Sequence, residues 1–305
     1  MGEGALRQRL AMEKEQDTHH YRHVEDFLRP EHLPSAGRLI HRLLTVAGLR
    51  ARGRRNAHLI RVRHNVVHLA RLPASFEAFT LLHLSDLHAD AGRHYLDALV
   101  ATVRGLSCDA CVLTGDYRFA TQGSCAPAIA ALGRLVPVLP QPVFAVLGNH
   151  DGVALVEGLE SLGVRVLMNE RTLLVRRGAQ LHIAGIDDAH YFRTHDIARA
   201  AEGLPGDACA ILLSHTPEPY RAAAAHGFDL MLSGHTHGGQ ICLPGGIPVL
   251  TDCPAPRRLA RGAWRFEDMH GYTSVGCGYS IIDARFHCLP EVTVHVLHSP
   301  ATAEA

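Results

Sequence analysis

Four apolar runs in this chain, Phe79–Leu84, Ala110–Leu113, Val143–Leu147 and Ile211–Leu213, each lead directly into a cluster of polar residues. The clusters are Asp86-Leu87-His88, Gly115-Asp116, Gly148-Asn149-His150-Asp151 and Ser214-His215. A fifth cluster, Gly234-His235-Thr236-His237, follows Leu230-Met231-Leu232. Runs this short and this apolar suit parallel strands buried on both faces. An open α/β sheet places its site at the carboxyl ends of such strands. The five transitions therefore confine the fold to strands whose ends converge on one place. A lone Asp-x-His would mean little in a chain with 23 histidines. The ordered set carries the signal, because its Asp, His and Asn side chains suit two adjacent divalent metals.

Between the strands, helices are expected over 93–104, 126–136, 152–162, 190–201 and 217–226, and this alternation indicates α/β layers. Residues 59–69 alternate and read as a strand before the core. After His237 the pattern changes to Gly/Pro-rich loops with short β-like runs at 247–250, 271–275 and 292–297. A second sheet packed on the first is their natural home.

Ahead of the core, residues 1–35 are polar and His/Glu-rich, with Pro30 and Pro34 as helix breakers, and read as a partly ordered extension. Leu39, Ile40, Leu43, Leu44, Val46 and Ala47 form one helical stripe, followed by Arg50, Arg52, Arg54 and Arg55. From Arg38 to Arg71 there are nine arginines and no acidic residue. Such a segment suits an anionic membrane surface, or a helix packed on its own domain with solvated arginines. The expected organisation is an extension with a basic amphipathic helix over 1–55 and one domain over 56–305.

A chain of 305 residues that is 47% hydrophobic can bury a large core. Its formal net charge of zero gives no global attraction to nucleic acid. No run of eighteen apolar residues argues for a membrane span. With no signal peptide visible, the eight cysteines read as reduced thiols in a cytoplasmic protein.

The order Asp-x-His, Gly-Asp, Gly-Asn-His-Asp, His, Gly-His-x-His closely resembles the calcineurin-like metallophosphoesterase superfamily over roughly residues 60–298. Gly234-His235-Thr236-His237-Gly238-Gly239-Gln240 is similar to a bacterial branch of membrane-linked or lipid-related phosphoesterases. So are the tail segments Gly276-Cys277-Gly278, Ala284-Arg285-Phe286 and Leu289-Pro290-Glu291-Val292, and the lead-in Leu72-Pro73-Ala74-Ser75-Phe76. The resemblance implies a four-layer α/β/β/α sandwich, two packed mixed sheets flanked by helices. It implies that Asp86, His88 and His237 hold one metal, that Asn149, His215 and His235 hold a second, and that Asp116 bridges them. Manganese is the expected ion; iron, zinc or cobalt suit the same donors.

On that reading, water activated by the two metals attacks phosphorus in line, without a covalent enzyme intermediate. His150 would act as general acid or as a cation stabilising the transition state, with Asp151 accepting its other N–H or capping the following helix. Arg118, two residues past the bridging ligand, would clamp a phosphate or form a surface salt bridge. Asn149 would also touch substrate.

The branch resemblance implies a phosphoester or nucleotide-lipid substrate such as UDP-2,3-diacylglucosamine, in lipid A biosynthesis, at the inner face of the cytoplasmic membrane. Two other readings are a soluble phosphodiesterase for cyclic nucleotides or glycerophosphodiesters, and a non-catalytic metal-stabilised scaffold. The absence of a basic and aromatic stripe beside the motifs argues against nucleic acid, and no protein partner can be inferred.

Overall fold

The computed structural model describes residues 3–18 and 34–299. Among the described residues, three helices come first: α1 (Glu3–Thr18), α2 (Pro34–Val46) and α3 (Arg50–Ala57). Then follow β1 (Arg61–His68), β2 (Phe79–Leu84), α4 (Arg93–Arg104), β3 (Ala110–Leu113), α5 (Ala126–Leu135), β4 (Val143–Ala145), α6 (Leu155–Ser161) and β5 (Val164–Val166). The second half contains β6 (Glu170–Arg176), β7 (Ala179–Gly185), α7 (Ile197–Ala200), β8 (Ala210–Leu213), α8 (Tyr220–Ala225) and β9 (Leu230–Ser233). A small hairpin, β10 (Cys242–Leu243) and β11 (Ile247–Pro248), precedes β12 (Gly262–Phe266), β13 (Met269–Thr273) and β14 (Glu291–His298).

The larger strands form two six-stranded mixed sheets, ordered β1-β14-β2-β3-β4-β5 and β12-β13-β9-β8-β7-β6. Strands β2 to β5 are parallel, as are β7, β8, β9 and β13. The period of two along each strand explains the layers. In β2, Leu81 faces the core between the sheets, whereas Leu82 and Leu84 face α4 to α6 with Cys111 and Leu113. In β8, Ile211 and Leu213 join the inter-sheet core, and Ala210 and Leu212 pack under α7 and α8. These strands are largely apolar because both of their faces are covered. The result is a four-layer α/β/β/α sandwich.

Helix α4 forms where expected, with Tyr95, Leu96, Leu99 and Val103 buried on one face between Gly92 and Gly105. The helix expected over 190–201 shrinks to α7. Upstream of it, the Asp188 carboxylate accepts the N–H groups of His190, Tyr191 and Phe192 at 3.2, 2.7 and 2.7 Å and holds them as a loop. The hairpin β6–β7 had no counterpart in the expectations. Its turn is Arg177-Gly178, with φ of 52° and 82°, and arginine there gives none of the Asn-Gly signal that marks such turns.

At the amino terminus, residues 3–18 of the extension expected over 1–35 form a helix, and the Pro30 break lies outside the described residues. Pro34 opens α2, a position where its missing N–H is harmless. Gly48 (φ 70°) ends that turn, and the arginines fall on a separate helix, α3. This helix packs on its own domain. Gly53 is buried so close to Phe286 that a Cβ would lie 2.8 Å from its ring. Asn56 Nδ2 donates to Arg285 O at 2.9 Å, and Arg50 and Arg54 pair with Asp283. Among the described residues, no helix is long and apolar enough to cross a membrane.

Candidate metal centre

All five clusters meet at one end of the two sheets. The first sheet delivers Asp86 and His88 after β2, Asp116 after β3, and Asn149 and His150 after β4. The second delivers His215 after β8, and His235 and His237 after β9. Asp86, His88, Asp116, His235 and His237 have φ of 51°, 39°, 56°, 70° and 48°. That left-handed region is strained for residues with a Cβ, and such strain collects at functional sites. Interlocking backbone bonds hold it: Asp86 N–H to Gly115 O at 3.0 Å and His88 N–H to Asp116 O at 2.8 Å. Close approach also requires Gly234, where a Cβ would lie 1.8 Å from Ser85 Oγ and 2.5 Å from Asp86 Oδ2.

The donors fall into two groups that share one carboxylate. Asp86, His88, Asp116 and His237 form the first, with His88 Nε2 3.3 Å from His237 Nε2 and His237 Nε2 3.6 Å from Asp86 Oδ1. Asp116, His215 and His235 form the second, joined by Asn149. His215 Nε2 lies 2.9 Å from Asn149 Oδ1, 3.2 Å from His235 Nδ1 and 3.4 Å from Asp116 Oδ1. A tetrahedral ion with bonds near 2.0–2.1 Å has ligand edges of about 3.3 Å.

The tautomers complete the test of whether a cation fits. His88 Nδ1–H donates to Arg118 O at 2.6 Å, His215 Nδ1–H to Thr114 O at 2.7 Å, and His235 Nε2–H to Asp252 O at 2.6 Å. Each ring's other nitrogen therefore turns inward. In neutral His235 it is a lone pair facing the Asn149 oxygen at 3.0 Å, and in neutral His88 one facing Asp116 at 3.9 Å, where neither side has a hydrogen to give. A cation resolves that confrontation; the donor set fits divalent metal.

Titration behaviour agrees. Burial keeps His235 and His237 well below the usual histidine range and brings His88 down to about 4, so these rings are neutral, as ligands must be. Burial also disfavours charge on His215, yet the Asp116 carboxylate outweighs it and pushes that ring up to about 10. In the metal-free chain a proton on His215 thus stands where a cation belongs. Burial likewise opposes charge on Asp116, but His215, His150 and His88 together hold it well below the carboxylate range.

The remaining sequence candidates separate. His150 Nδ1 meets Phe119 O at 2.9 Å, so Nε2 turns inward, 3.9 Å from Asp116 Oδ2. Asp151 does not orient that ring, contrary to expectation. Its carboxylate instead accepts the N–H groups of Asp116, Gly148 and Tyr117 at 2.7, 2.8 and 2.9 Å and so ties two ligand loops together. Nor does it cap α6, which begins at Leu155. Arg118 is buried with its Nη2 donating to Gly123 O at 2.8 Å, and it is not among the residues lining the cavity over the site. Cys108 and Cys111, spaced Cys-x-x-Cys, are free thiols outside both donor groups.

Two features were missed. Arg285, fully buried, donates to the carbonyls of Val275, Gly278 and His237 at 2.7, 2.6 and 3.2 Å and fixes the loop of a ligand. The His190 ring lies tilted against His235, centroids 4.3 Å apart, and bonds Glu218; His190, His235 and Asp252 make a third group. Because His235 Nε2–H is given to Asp252 O, that third group has no free ring nitrogen from His235. The doublet Asp187-Asp188 was the signal that this loop is not helical.

Above the donors lies a cavity of about 480 Å³ that reaches Asp116, Asn149, His150, His235 and His237. Its outer wall is apolar: Ile40, Leu43 and Leu44 from α2, facing Ile241, Val249 and Leu250. A second cavity of about 550 Å³ lies on the other side of α2, beside Arg38, His41, Arg42, Phe119 and Tyr279.

Residues 79–239 match the family described as calcineurin-like phosphoesterase. The chain is 27% identical to the uncharacterized metallophosphoesterase YkuE of Bacillus subtilis, over 79% of this chain and 87% of that one. It is 29% identical to the phosphodiesterase YaeI of Escherichia coli, over 71% and 81%. It is 30% identical to YkoQ, another uncharacterized metallophosphoesterase of Bacillus subtilis, over 73% and 85%.

Proposed function

The chain belongs to the calcineurin-like phosphoesterase family and is a metal-dependent phosphoesterase, and from that premise we propose that it cleaves a phosphoester or pyrophosphate bond in a lipid-linked substrate. One observation carries the choice: the metal donors open onto an apolar wall. Leu43, Val249 and Leu250 are 60%, 59% and 54% exposed, and all three line that cavity. A substrate with only polar substituents would leave this wall in water, whereas an acyl or prenyl group would cover it. The cavity across α2, where Arg38 and Arg42 outnumber the one lining carboxylate, Asp283, supports an anionic half on the same molecule, such as a nucleotide. UDP-2,3-diacylglucosamine has both parts. The phosphodiesterase name of the Escherichia coli relative is in keeping with this bond class.

In this proposal Asp86, His88, Asp116 and His237 hold one divalent ion, and Asp116, Asn149, His215 and His235 hold the other, manganese being the expected metal. Bound there, the ions supply Lewis acidity and a water acidic enough to serve as nucleophile at neutral pH. The chain's own residues do the rest. His150, its Nδ1–H held by Phe119 O, donates the Nε2 proton of its imidazolium form to the departing oxygen and is left as the neutral ring. Asp151 keeps the Asp116 and Asn149 loops in register through the backbone. The neutral Asn149 contributes an oxygen without adding negative charge, leaving the site electrophilic. Within the 1–55 extension to the 56–305 domain, α2 and the start of α3 face the membrane, while α1 packs into the domain through Arg9. There Arg42, Arg52 and Arg55 are exposed while Arg50 and Arg54 are engaged with Asp283, and the protein works at the cytoplasmic face of the membrane.

The test compares manganese-loaded protein on UDP-2,3-diacylglucosamine, bis-p-nitrophenyl phosphate and cyclic AMP, with Leu43→Asp and Leu250→Asp variants. The acylated substrate is expected to be preferred, and each variant should lower its turnover at least about tenfold while sparing the small diester. Equal loss on every substrate, or none on any, would refute the lipid-linked assignment.

A further inference from the structure

The two sheets hold separate halves of the site. Asp86, His88, Asp116, Asn149 and His150 belong to the first, and His215, His235 and His237 to the second. Their spacing depends on how the sheets are held at this end. Among the described residues, a side chain from neither sheet crosses the gap. Arg9 of α1 is fully buried. Its Nη2 donates to Asp151 O, in the loop that carries Asn149 and His150. Its Nη1 lies 3.4 Å from Asp187 Oδ1, in the loop after β7. The guanidinium also lies 3.3 Å over the Phe192 ring of that second loop. Glu13, one turn along α1, accepts Arg9 Nε at 2.9 Å and the Val153 N–H at 2.9 Å.

A buried guanidinium is costly to desolvate and persists only where its partners are well placed. Here Nη2 hydrogen-bonds a carbonyl on one loop, and Nη1 faces a carboxylate on the other at 3.4 Å as an ion pair without a hydrogen bond, so one guanidinium is tied to both loops. We infer that α1 is part of the hydrolytic apparatus and that Arg9 is a positioning residue, clamping the Asn149–His150 loop of one sheet to the Asp187–Phe192 loop of the other. The segment lies outside residues 79–239, so the family match does not itself include this clamp. The inference rests on the phosphoesterase reading of the site, and on nothing about which substrate is cleaved.

The experiment uses full-length Arg9→Ala and Arg9→Lys. Misplacing catalytic groups by about 1 Å costs on the order of 10²-fold. Arg9→Ala should therefore lower kcat on bis-p-nitrophenyl phosphate between tenfold and a hundredfold, with KM little changed. Arg9→Lys, which keeps the charge but not the fork, should fall between it and the parent. Guanidinium at tens of millimolar should restore Arg9→Ala several-fold and leave the parent unaffected. Independently of activity, hydrogen exchange on metal-free protein should quicken at 148–153 in Arg9→Ala, while β8 and β9 keep their protection. Parental kcat with unchanged exchange at 148–153 would overturn the clamp. So would faster exchange everywhere alike, which would mark Arg9 as support for the fold alone. If the parent itself shows no metal-dependent hydrolysis, the phosphoesterase reading fails, and the exchange comparison still decides whether Arg9 clamps the loops.

Discussion

Gly148→Ala should disable the site while leaving the fold intact. The φ of Gly148 lies outside the left-handed region, so alanine meets no backbone strain there and its effect comes from contacts alone. An added Cβ would lie 2.2 Å from Asp116 Oδ1, 2.6 Å from Asp116 N and 2.9 Å from His215 Cε1. Non-bonded carbon and oxygen need upwards of about 3.2 Å, so something must move by about 1 Å. Each of those three neighbours belongs to Asp116, whose carboxylate both donor groups share, or to the His215 ring beside it. Relief must therefore displace a ligand. Overpacking of this kind costs about 1–3 kcal/mol of stability, which a domain this size survives. The catalytic loss should be larger, roughly 10²-fold in kcat for a 1 Å misplacement, with weakened binding of at least one metal. The assay is kcat on bis-p-nitrophenyl phosphate alongside calorimetric manganese titration and thermal melting. Gly133→Ala is the control, because in α5 its Cβ would meet only Leu162 Cδ2 at 3.7 Å. That variant should be up to about 1 kcal/mol more stable and fully active. Parental kcat and full manganese binding in Gly148→Ala would refute the reasoning.

Replacing His150 by Ala should cut kcat by roughly 10²–10⁴-fold with metal content near normal. The loss should shrink for substrates with good leaving groups, and parallel loss of metal would make His150 a ligand instead of an acid. Asp116→Asn should lower occupancy of both metal positions, read by elemental analysis; loss of one ion alone would mean that the carboxylate is not shared. Acid stability should report the buried His83–His295 pair. Burial pushes His83 down to about 3 from an ordinary 6.5, and His295 is also held well below that value. The unfolded chain takes up protons there that the folded chain refuses, so this contribution is intact above about pH 6.5 and stability falls as pH drops from there toward about 3. Each ring adds a slope of roughly 1.4 kcal/mol per pH unit. His83→Gln should flatten the fall by about one proton in urea melts between pH 7 and pH 5, and an unchanged slope would show that the ring titrates normally.

His83 also shows where residue-by-residue reading stops. From sequence it is an ordinary strand residue. In the fold its Nε2 meets Thr114 Oγ1 at 2.9 Å, and its Nδ1 meets His295 Nε2 at 3.3 Å, from a strand 212 positions away. The Asp151 carboxylate was assigned to its chain neighbour His150, but it spends its lone pairs on amides at 116, 117 and 148. The helix expected over 190–201 failed because one carboxylate, Asp188, outbid helical bonding for three successive N–H groups.

What the sequence by itself determined is the set of strands and the chemistry at their ends. Both are local: a run of three to six mostly apolar residues specifies a strand covered on two faces, and the residues that follow it emerge at the strand's carboxyl end. The expected donors Asp86, His88, Asp116, Asn149, His215, His235 and His237 were legible for that reason, and the fold brings all seven together. Only the tertiary structure decided which nitrogen of each ring turns inward, because carbonyls at Arg118, Thr114 and Asp252 choose the tautomer. Only it joined α1 to the site, across the 142 positions between Arg9 and Asp151. Pattern along a chain encodes which faces are buried; the partner that a buried polar group finds depends on how separate layers pack, and no local period records that.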